Sequence, residues 1–202
     1  HMSDYRFAPS PTYGISEHPF ATWKEGFTSE EIDKIIELCD ALPLEKAVIG
    51  NRDPSEDYAE IRESKVSWLP LTDDSAWVYD RLAYIARCLN GEFFKFDLYG
   101  FSEHMQYTVY DSAVNGHYGW HQDYGTQKPV VPRKLSVVVQ LSDPAEYEGG
   151  DLEVHISNNV VQVTKQKGLV TAFPSFMLHR VTPVTSGVRK TLVVWVCGDA
   201  FK

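Results

Sequence analysis

Cysteine is scarce in this 202-residue chain. The three present, Cys39, Cys88 and Cys197, stand far apart and form no Cys-x-x-Cys pair. An odd, scattered set argues against a zinc finger and suits a reducing compartment. Positive charge is also short: 19 Lys and Arg against 28 Asp and Glu leave a net charge of −9, with no basic block. A protein that tracks a nucleic-acid duplex needs the opposite balance, so nucleic acid is disfavoured as a partner. No apolar run approaches the ~18 residues a transmembrane helix needs, so no membrane span is expected. Repeats and low-complexity tracts are absent. No signal peptide is visible, and the expected location is cytoplasmic. His1 and Met2 read as a cleaved-tag scar and are given no weight.

What is there is enough to build a sizeable core. Hydrophobic residues make up 43% and aromatics 13%, which excludes disorder, collagen and coiled coil. The length fits one domain, here 1–202. Residues 3–22 carry Pro9, Pro11, Gly14 and Pro19 and read as an extended lead-in. Thr28 and Glu31 then form a capping box, and Phe27 with Ile32 a hydrophobic staple. Ile32, Ile35, Ile36, Cys39 and Leu42 follow at helical spacing until Pro43. A second helix fits about 74–90, where Val78, Leu82, Ile85 and Leu89 share a face and Gly91 offers a C-terminal cap. Between the helices, 50–64 is polar, charged and broken by Pro54. Its length points to a mobile lid, against the simpler reading of a solvated surface loop.

From residue 93 the pattern turns to strands, expected at 93–99, 103–110, 134–141, 151–156, 160–164, 168–173, 178–182 and 188–196. Many short strands with Gly and Pro punctuation imply a sandwich or barrel. The fold class is therefore mainly β with N-terminal helices (α+β). Residues 3–92 give helical support and the lid, and 93–202 form a jelly-roll core. Two helices can cover one sheet's outer face, which leaves the inside of a double-sheet jelly roll for a ligand.

The stretch that carries chemistry is Gly116-His-Tyr-Gly-Trp-His121-Gln-Asp123. On a strand, His121 and Asp123 point to one face, so an imidazole and a carboxylate can share a metal. A third neutral donor would complete a facial triad with positions left free. His-x-Asp alone is weak, because such pairs arise by chance. His104, His117, His155 and His179 are the histidines near this body. His117-x-x-x-His121 would suit zinc on a helix, but Gly116 and Gly119 argue against one. In 189–196, Arg189, Thr191, Val193 and Trp195 share one face by alternation, and Lys190, Leu192, Val194 and Val196 the other. The second face is fit to pack beneath the helices, so Arg189 points inward with Trp195. A buried arginine needs an anion, and its planar fork suits a carboxylate. A structural pair with Asp97 or Asp151 is the plainer alternative.

These residues bring a family into view. His121-x-Asp123, His179 after 55 intervening residues and Arg189 ten beyond it resemble the Fe(II)/2-oxoglutarate-dependent dioxygenases. The resemblance is to their prolyl-4-hydroxylase-like branch. Tyr110, Leu141-Ser-Asp-Pro-x-x-Tyr-x-Gly149-Gly150 and Phe173-Pro-Ser-x-x-x-His179-x-Val-x-Pro-Val-Thr-x-Gly187-x-Arg189 support it, as does the Arg189…Trp195 spacing. It covers about 100–196, and the helical half agrees in layout and in Arg62-x-Ser64.

The resemblance implies a double-stranded β-helix (jelly roll) covered on one face by helices. It implies Fe(II) held by His121, Asp123 and His179, with 2-oxoglutarate and O2 as co-substrates and ascorbate as a stimulant. Arg189 would pair with the distal carboxylate of 2-oxoglutarate. Tyr110, Tyr118, Gln140 and Thr191 would complete the co-substrate site, and Arg62, Trp120, Tyr124 and Trp195 would meet substrate. Succinate and CO2 would be released as a C–H bond is hydroxylated. The expected partner is a proline-containing peptide or protein. Alternatives within the chemistry are hydroxylation of a free amino acid or small metabolite, and nucleic-acid demethylation. Those demethylases carry a further arginine where this chain has Trp195. Outside it, the alternative is a catalytically silent jelly-roll binding module.

Overall fold

The computed structural model describes residues 19–49, 59–124 and 132–199. In chain order come β1 (Ala21–Trp23), α1 (Ser29–Asp40), β2 (Glu45–Lys46), β3 (Arg62–Glu63), β4 (Lys65–Leu69) and α2 (Ala76–Leu89). Then follow β5 (Gly100–Phe101), β6 (Met105–Asp111), β7 (His117–His121), β8 (Arg133–Gln140) and β9 (Tyr147–Gly149). The last are β10 (Leu152–Ile156), β11 (Asn159–Gln162), β12 (Val170–Pro174), β13 (His179–Val181) and β14 (Val184–Cys197). The fold is thus mostly β with two α-helices among the described residues. No helix of these is long and apolar enough to cross a membrane.

The helices start and stop for local reasons. The Thr28 hydroxyl accepts the Glu31 N–H at 3.1 Å, and the Glu31 carboxylate accepts the Thr28 N–H at 3.0 Å. That satisfies two of the donors a helix leaves orphaned at its start. Arg81 of α2 reaches Glu31 at 2.8 Å and the Gly26 carbonyl at 2.9 Å, tying the two helices together. Its guanidinium also holds the Glu31 carboxyl below its ordinary pKa. The expected cap at Gly91 is not what ends α2. The chain runs on through a π-helical turn, Asn90–Phe94, and closes at Lys95 in the left-handed region (φ 58°).

The strand expected at 93–99 is absent for the same reason. The Asn90 side chain bonds both the N–H and the carbonyl of Phe96 at 2.9 Å, so that backbone is satisfied without a neighbour. Phe93, Phe94, Phe96 and Leu98 pack against the helical core instead of pleating. Apolar content read as a strand is here helix-end packing.

Two antiparallel sheets carry the rest. The larger runs β1-β12-β8-β14-β6-β4-β2, with β5 and β9 also paired to β14; the smaller runs β11-β10-β13-β7-β3. One core cluster joins Ile32, Ile35, Val78, Leu82 and Ile85 of the helices to Val137, Val139, Leu192 and Val194 of the larger sheet. Lys190, the charged member of that strand face, reaches Asp40 at the end of α1 at 3.2 Å. A second cluster combines Tyr110, Tyr147, Leu152, Val154, Phe173, Val181 and Val184, drawn from both sheets. Of the expected lid, 50–58 lies outside the described residues. Its last part is not a loop: Arg62 and Glu63 pair with Tyr118 and His117 as the edge strand of the smaller sheet.

Candidate metal and anion site

Strand pairing assembles the first part of the site. β7 ends at His121 and β13 begins at His179, and the two are direct cross-strand partners. Asp123 lies two residues beyond, past the end of the strand, where its N–H donates to the Ser175 carbonyl at 2.8 Å. The Nε2 atoms of His121 and His179 each lie 3.4 Å from the same oxygen of Asp123. One ligand atom from each residue falls within 4.8 Å of the others.

Each donor is held by a partner of its own. The Nδ1 of His121 meets the Gly119 carbonyl at 2.7 Å, and that of His179 meets the Met177 carbonyl at 2.8 Å. A carbonyl only accepts, so Nδ1 carries the proton and Nε2 keeps its lone pair for a metal. The Ser136 hydroxyl donates to the other oxygen of Asp123 at 2.7 Å and contacts Ser175 Oγ at 2.9 Å. Burial opposes ionisation of Asp123, but the two imidazoles outweigh it and hold the carboxyl well below its usual pKa. Burial pushes His121 down, whereas Asp123 more than offsets burial at His179 and pushes it up. Two neutral nitrogens and one carboxylate, with no fourth ligand from the described residues, fit a divalent first-row metal with open positions.

An aromatic wall adjoins the triad. The Tyr118 ring stacks on His121, centroids 3.4 Å apart and planes within 11°. The Arg62 guanidinium lies over the Tyr118 ring, 4.4 Å from its centroid. It is 7% exposed and donates to Ser64 Oγ, the Val48 carbonyl and Gln106 Oε1. Burial raises the phenol pKa of both Tyr118 and Tyr110, so both stay neutral hydroxyls.

Arg189 heads the second part. It is 3% exposed, yet forms no ion pair among the described residues, and its Nε has no hydrogen-bond partner. The pairing with Asp97 or Asp151 weighed from sequence is not made; Asp151 is taken by Lys165 at 2.6 Å. The guanidinium faces the ring of Tyr110, its cross-strand partner, at 5.5 Å. A small cleft opens here, lined by Arg189, Gln140, Gly150, Lys165 and Thr171 among others. Its lining holds two cations and no carboxylate. An orphaned buried guanidinium in such a cleft is fit for an anion. Tyr110 lies near enough to both parts to feel the charges of Arg189 and Asp123. Gln140 bonds the Tyr147 hydroxyl at 2.8 Å, and Thr191 is buried between Thr108 and Gln140 on the neighbouring strands.

The remaining expected residues divide. Trp195 is 5% exposed with an unpartnered indole N–H; Arg133 lies 3.6 Å over its ring, and the half-exposed Trp68 is 6.3 Å away. Tyr124 is exposed, one residue after Asp123. Trp120 is not brought to the triad. It packs against Arg180 and His155, on the side of the smaller sheet away from the buried Leu152 and Val154, because the pairing of β7 with β13 shifts register between Tyr118 and His121, which breaks strict alternation and turns both of these the other way. His117 has both ring nitrogens against backbone carbonyls, of Asn115 and Glu60, so the His-x-x-x-His zinc alternative fails. Sequence reasoning missed Ser136 and Ser175. The signal for Ser136 was a lone hydroxyl inside the otherwise apolar run 135–139.

Comparison with known proteins agrees with this geometry. Residues 105–197 match the model of the 2OG-Fe(II) oxygenase superfamily. A PKHD-type hydroxylase of Colwellia psychrerythraea is 34% identical over 94 residues, 46% of this chain and 42% of that protein. A PKHD-type hydroxylase of Synechococcus sp. is 38% identical over 85 residues, 42% of this chain and 38% of that one. The chain thus spans about two fifths of the curated relatives it matches. In fold it is similar to a Pseudomonas putida prolyl-4-hydroxylase, with TM-score 0.71, 17% identity and coverage of 92% and 96% of the two chains. A Trichoplax adhaerens prolyl hydroxylase, solved with a hypoxia inducible factor peptide fragment, gives TM-score 0.74 and 15% identity over 91% and 86%.

Proposed function

We propose that this chain is an Fe(II)- and 2-oxoglutarate-dependent dioxygenase that hydroxylates a prolyl residue within a peptide or protein. On this reading 1–202 is one domain, with 3–92 as support and 93–202 as a double-stranded β-helix. The observation that carries it is Arg189, a buried cation without a counter-ion among the described residues, in the same fold as a partly buried two-histidine, one-carboxylate cluster. A binding module has no need of both.

His121, Asp123 and His179 would hold the metal through Nε2, a carboxylate oxygen and Nε2. Bound there, Fe(II) supplies dioxygen activation coupled to the oxidative decarboxylation of 2-oxoglutarate to succinate and carbon dioxide. Arg189 binds the distal carboxylate with a forked, charge-assisted contact in a site shielded from water. Tyr110, a neutral hydroxyl whose ring faces Arg189, hydrogen-bonds the co-substrate, and Gln140 and Thr191 shape its pocket. Tyr118 orients His121 by stacking and, with Arg62, walls the open side of the triad. Trp195 and the exposed Tyr124 are the aromatic contacts left for substrate.

The prolyl assignment is supported by two prolyl-hydroxylase neighbours in fold, one of them solved with a peptide. It also has a physical basis. Proline rings stack on aromatic faces, and proline-rich chains lose little entropy on ordering. The test is succinate release that depends on Fe(II), 2-oxoglutarate and a panel of proline-containing peptides, against free proline, free lysine and methylated DNA. Peptide oxidation with gain of one oxygen is the expected result, abolished by His179→Ala. Turnover of DNA or free amino acids alone would overturn the substrate but leave the chemistry standing.

A further inference from the structure

Lys165 lies in the connection between β11 and β12 and lines the cleft that Arg189 heads. Its Nζ donates to the Gly149 carbonyl at 2.6 Å, pairs with Asp151 at 2.6 Å and sits 4.9 Å over the Tyr147 ring. An ammonium group has three N–H donors. Two of them are taken by Gly149 and Asp151, the Asp151 carboxylate offsets the charge, and the Tyr147 ring covers one side, so Lys165 serves as a cross-brace.

What it braces is the turn at Gly149 and Gly150, which have φ of +72° and +59°. A Cβ on Gly149 would fall 2.1 Å from the Pro183 carbonyl oxygen. One on Gly150 would fall 3.0 Å from Arg189 Cδ and 3.3 Å from the Tyr147 ring. The turn therefore lies directly against the stem of Arg189. Nothing among the described residues fixes the Nε end of that side chain by hydrogen bonding. Its position depends on packing, and the turn is part of that packing.

We propose that Lys165 is a positioning residue for Arg189: by bonding Gly149 and Asp151 it holds the turn against the arginine stem and sets the depth of the anion pocket, and so the chain length of the 2-oxo diacid accepted. This rests on the reading of Arg189 as the co-substrate anchor. On this proposal Lys165 acts through the turn and not on the acid itself. Its effect is on where the guanidinium sits, and small misplacements at a charge-assisted contact are costly.

The experiment is calorimetric binding of 2-oxoglutarate and of 2-oxoadipate, one methylene longer, to the Mn(II)-loaded chain without oxygen. Wild type, Lys165→Met, Lys165→Arg and Asp151→Asn are compared. Wild type should favour 2-oxoglutarate. Lys165→Met and Asp151→Asn should each weaken it by about tenfold while changing 2-oxoadipate little, so that the selectivity collapses. Lys165→Arg should restore most of the loss. In turnover the change should fall on the KM for 2-oxoglutarate rather than on kcat, which a merely structural defect would not separate. Should Lys165→Met fail to fold, the nearly isosteric Asp151→Asn carries the test. Unchanged selectivity in the folded variants would overturn the proposal. So would tighter 2-oxoglutarate binding by Asp151→Asn, since that means a freed Lys165 contacts the acid itself. Failure of wild type to bind 2-oxoglutarate at all would overturn the functional reading too.

Discussion

Replacing Arg189 with alanine separates two effects that usually travel together. In most buried ion pairs, removing one partner strands the other and destabilises the fold. Here no carboxylate among the described residues would be stranded, because the guanidinium makes no ion pair and its Nε is unpartnered. The losses without ligand are the packing of the stem against Gly150 and the cation–π contact with Tyr110. Removal of an uncompensated buried charge works against those losses. The co-substrate-free protein should therefore unfold within ~1–2 kcal/mol of wild type. Co-substrate binding should suffer far more. A desolvated charge-assisted pair is worth roughly 2–5 kcal/mol, or about 30-fold to a few thousand-fold in Kd. Thermal unfolding with and without 2-oxoglutarate, on the Mn(II)-loaded chain, reads both effects at once. Wild type should gain about 2.7 kcal/mol when the ligand stands at 100 times its Kd; the alanine variant should gain less than about 1 kcal/mol at that concentration. Lysine should recover part, since it restores charge without the fork. If the alanine variant is stabilised by 2-oxoglutarate as much as wild type, Arg189 does not hold the acid. If it unfolds several kcal/mol early without ligand, the guanidinium has a structural partner and the argument from its orphaned Nε is wrong.

Three further outcomes are expected. Ser136→Ala removes the hydroxyl that orients Asp123 at 2.7 Å and should weaken Mn(II) binding by about 10- to 100-fold in a calorimetric titration; equal affinity would show that Asp123 needs no such support. Thr28→Ala breaks the capping box at the start of α1 and should cost about 1 kcal/mol in urea unfolding, with the slope unchanged. Burial pushes the Cys39 thiol up to about 12, so at pH 8 only about one molecule in ten thousand is thiolate. Native Cys39 should resist a disulfide reagent that labels it once the chain is unfolded, and rapid native labelling would contradict its burial.

Both α-helices could be read from local chemistry. Thr28, Glu31 and the spacing of Ile32 and Ile35 suffice for α1, because a cap and a stripe need no distant partner. The inward turn of Arg189 was legible too, since strand alternation has a period of two and one face of 189–196 is apolar. The grouping of His121, Asp123 and His179, expected from spacing and a family likeness, is one the structure brings within 4.8 Å. Local pattern failed where backbone demands were met from elsewhere. Phe93 to Leu98 look like a strand, but the Asn90 side chain satisfies Phe96 and the aromatics serve the helical core. Arg62 read as part of a lid, yet its strand pairs with Tyr118 across a long stretch of chain. Trp120 read as a substrate contact, but only the placement of Arg180 and His155 shows which side of the sheet it occupies.

Sequence by itself determined which residue types could bind a metal and an anion, because donor chemistry belongs to the side chain. Tertiary structure alone decided that His121 stands opposite His179, that Ser136 aims Asp123, and that Arg189 forms no ion pair among the described residues. Those are facts of register between strands far apart in the chain, and no local preference encodes register.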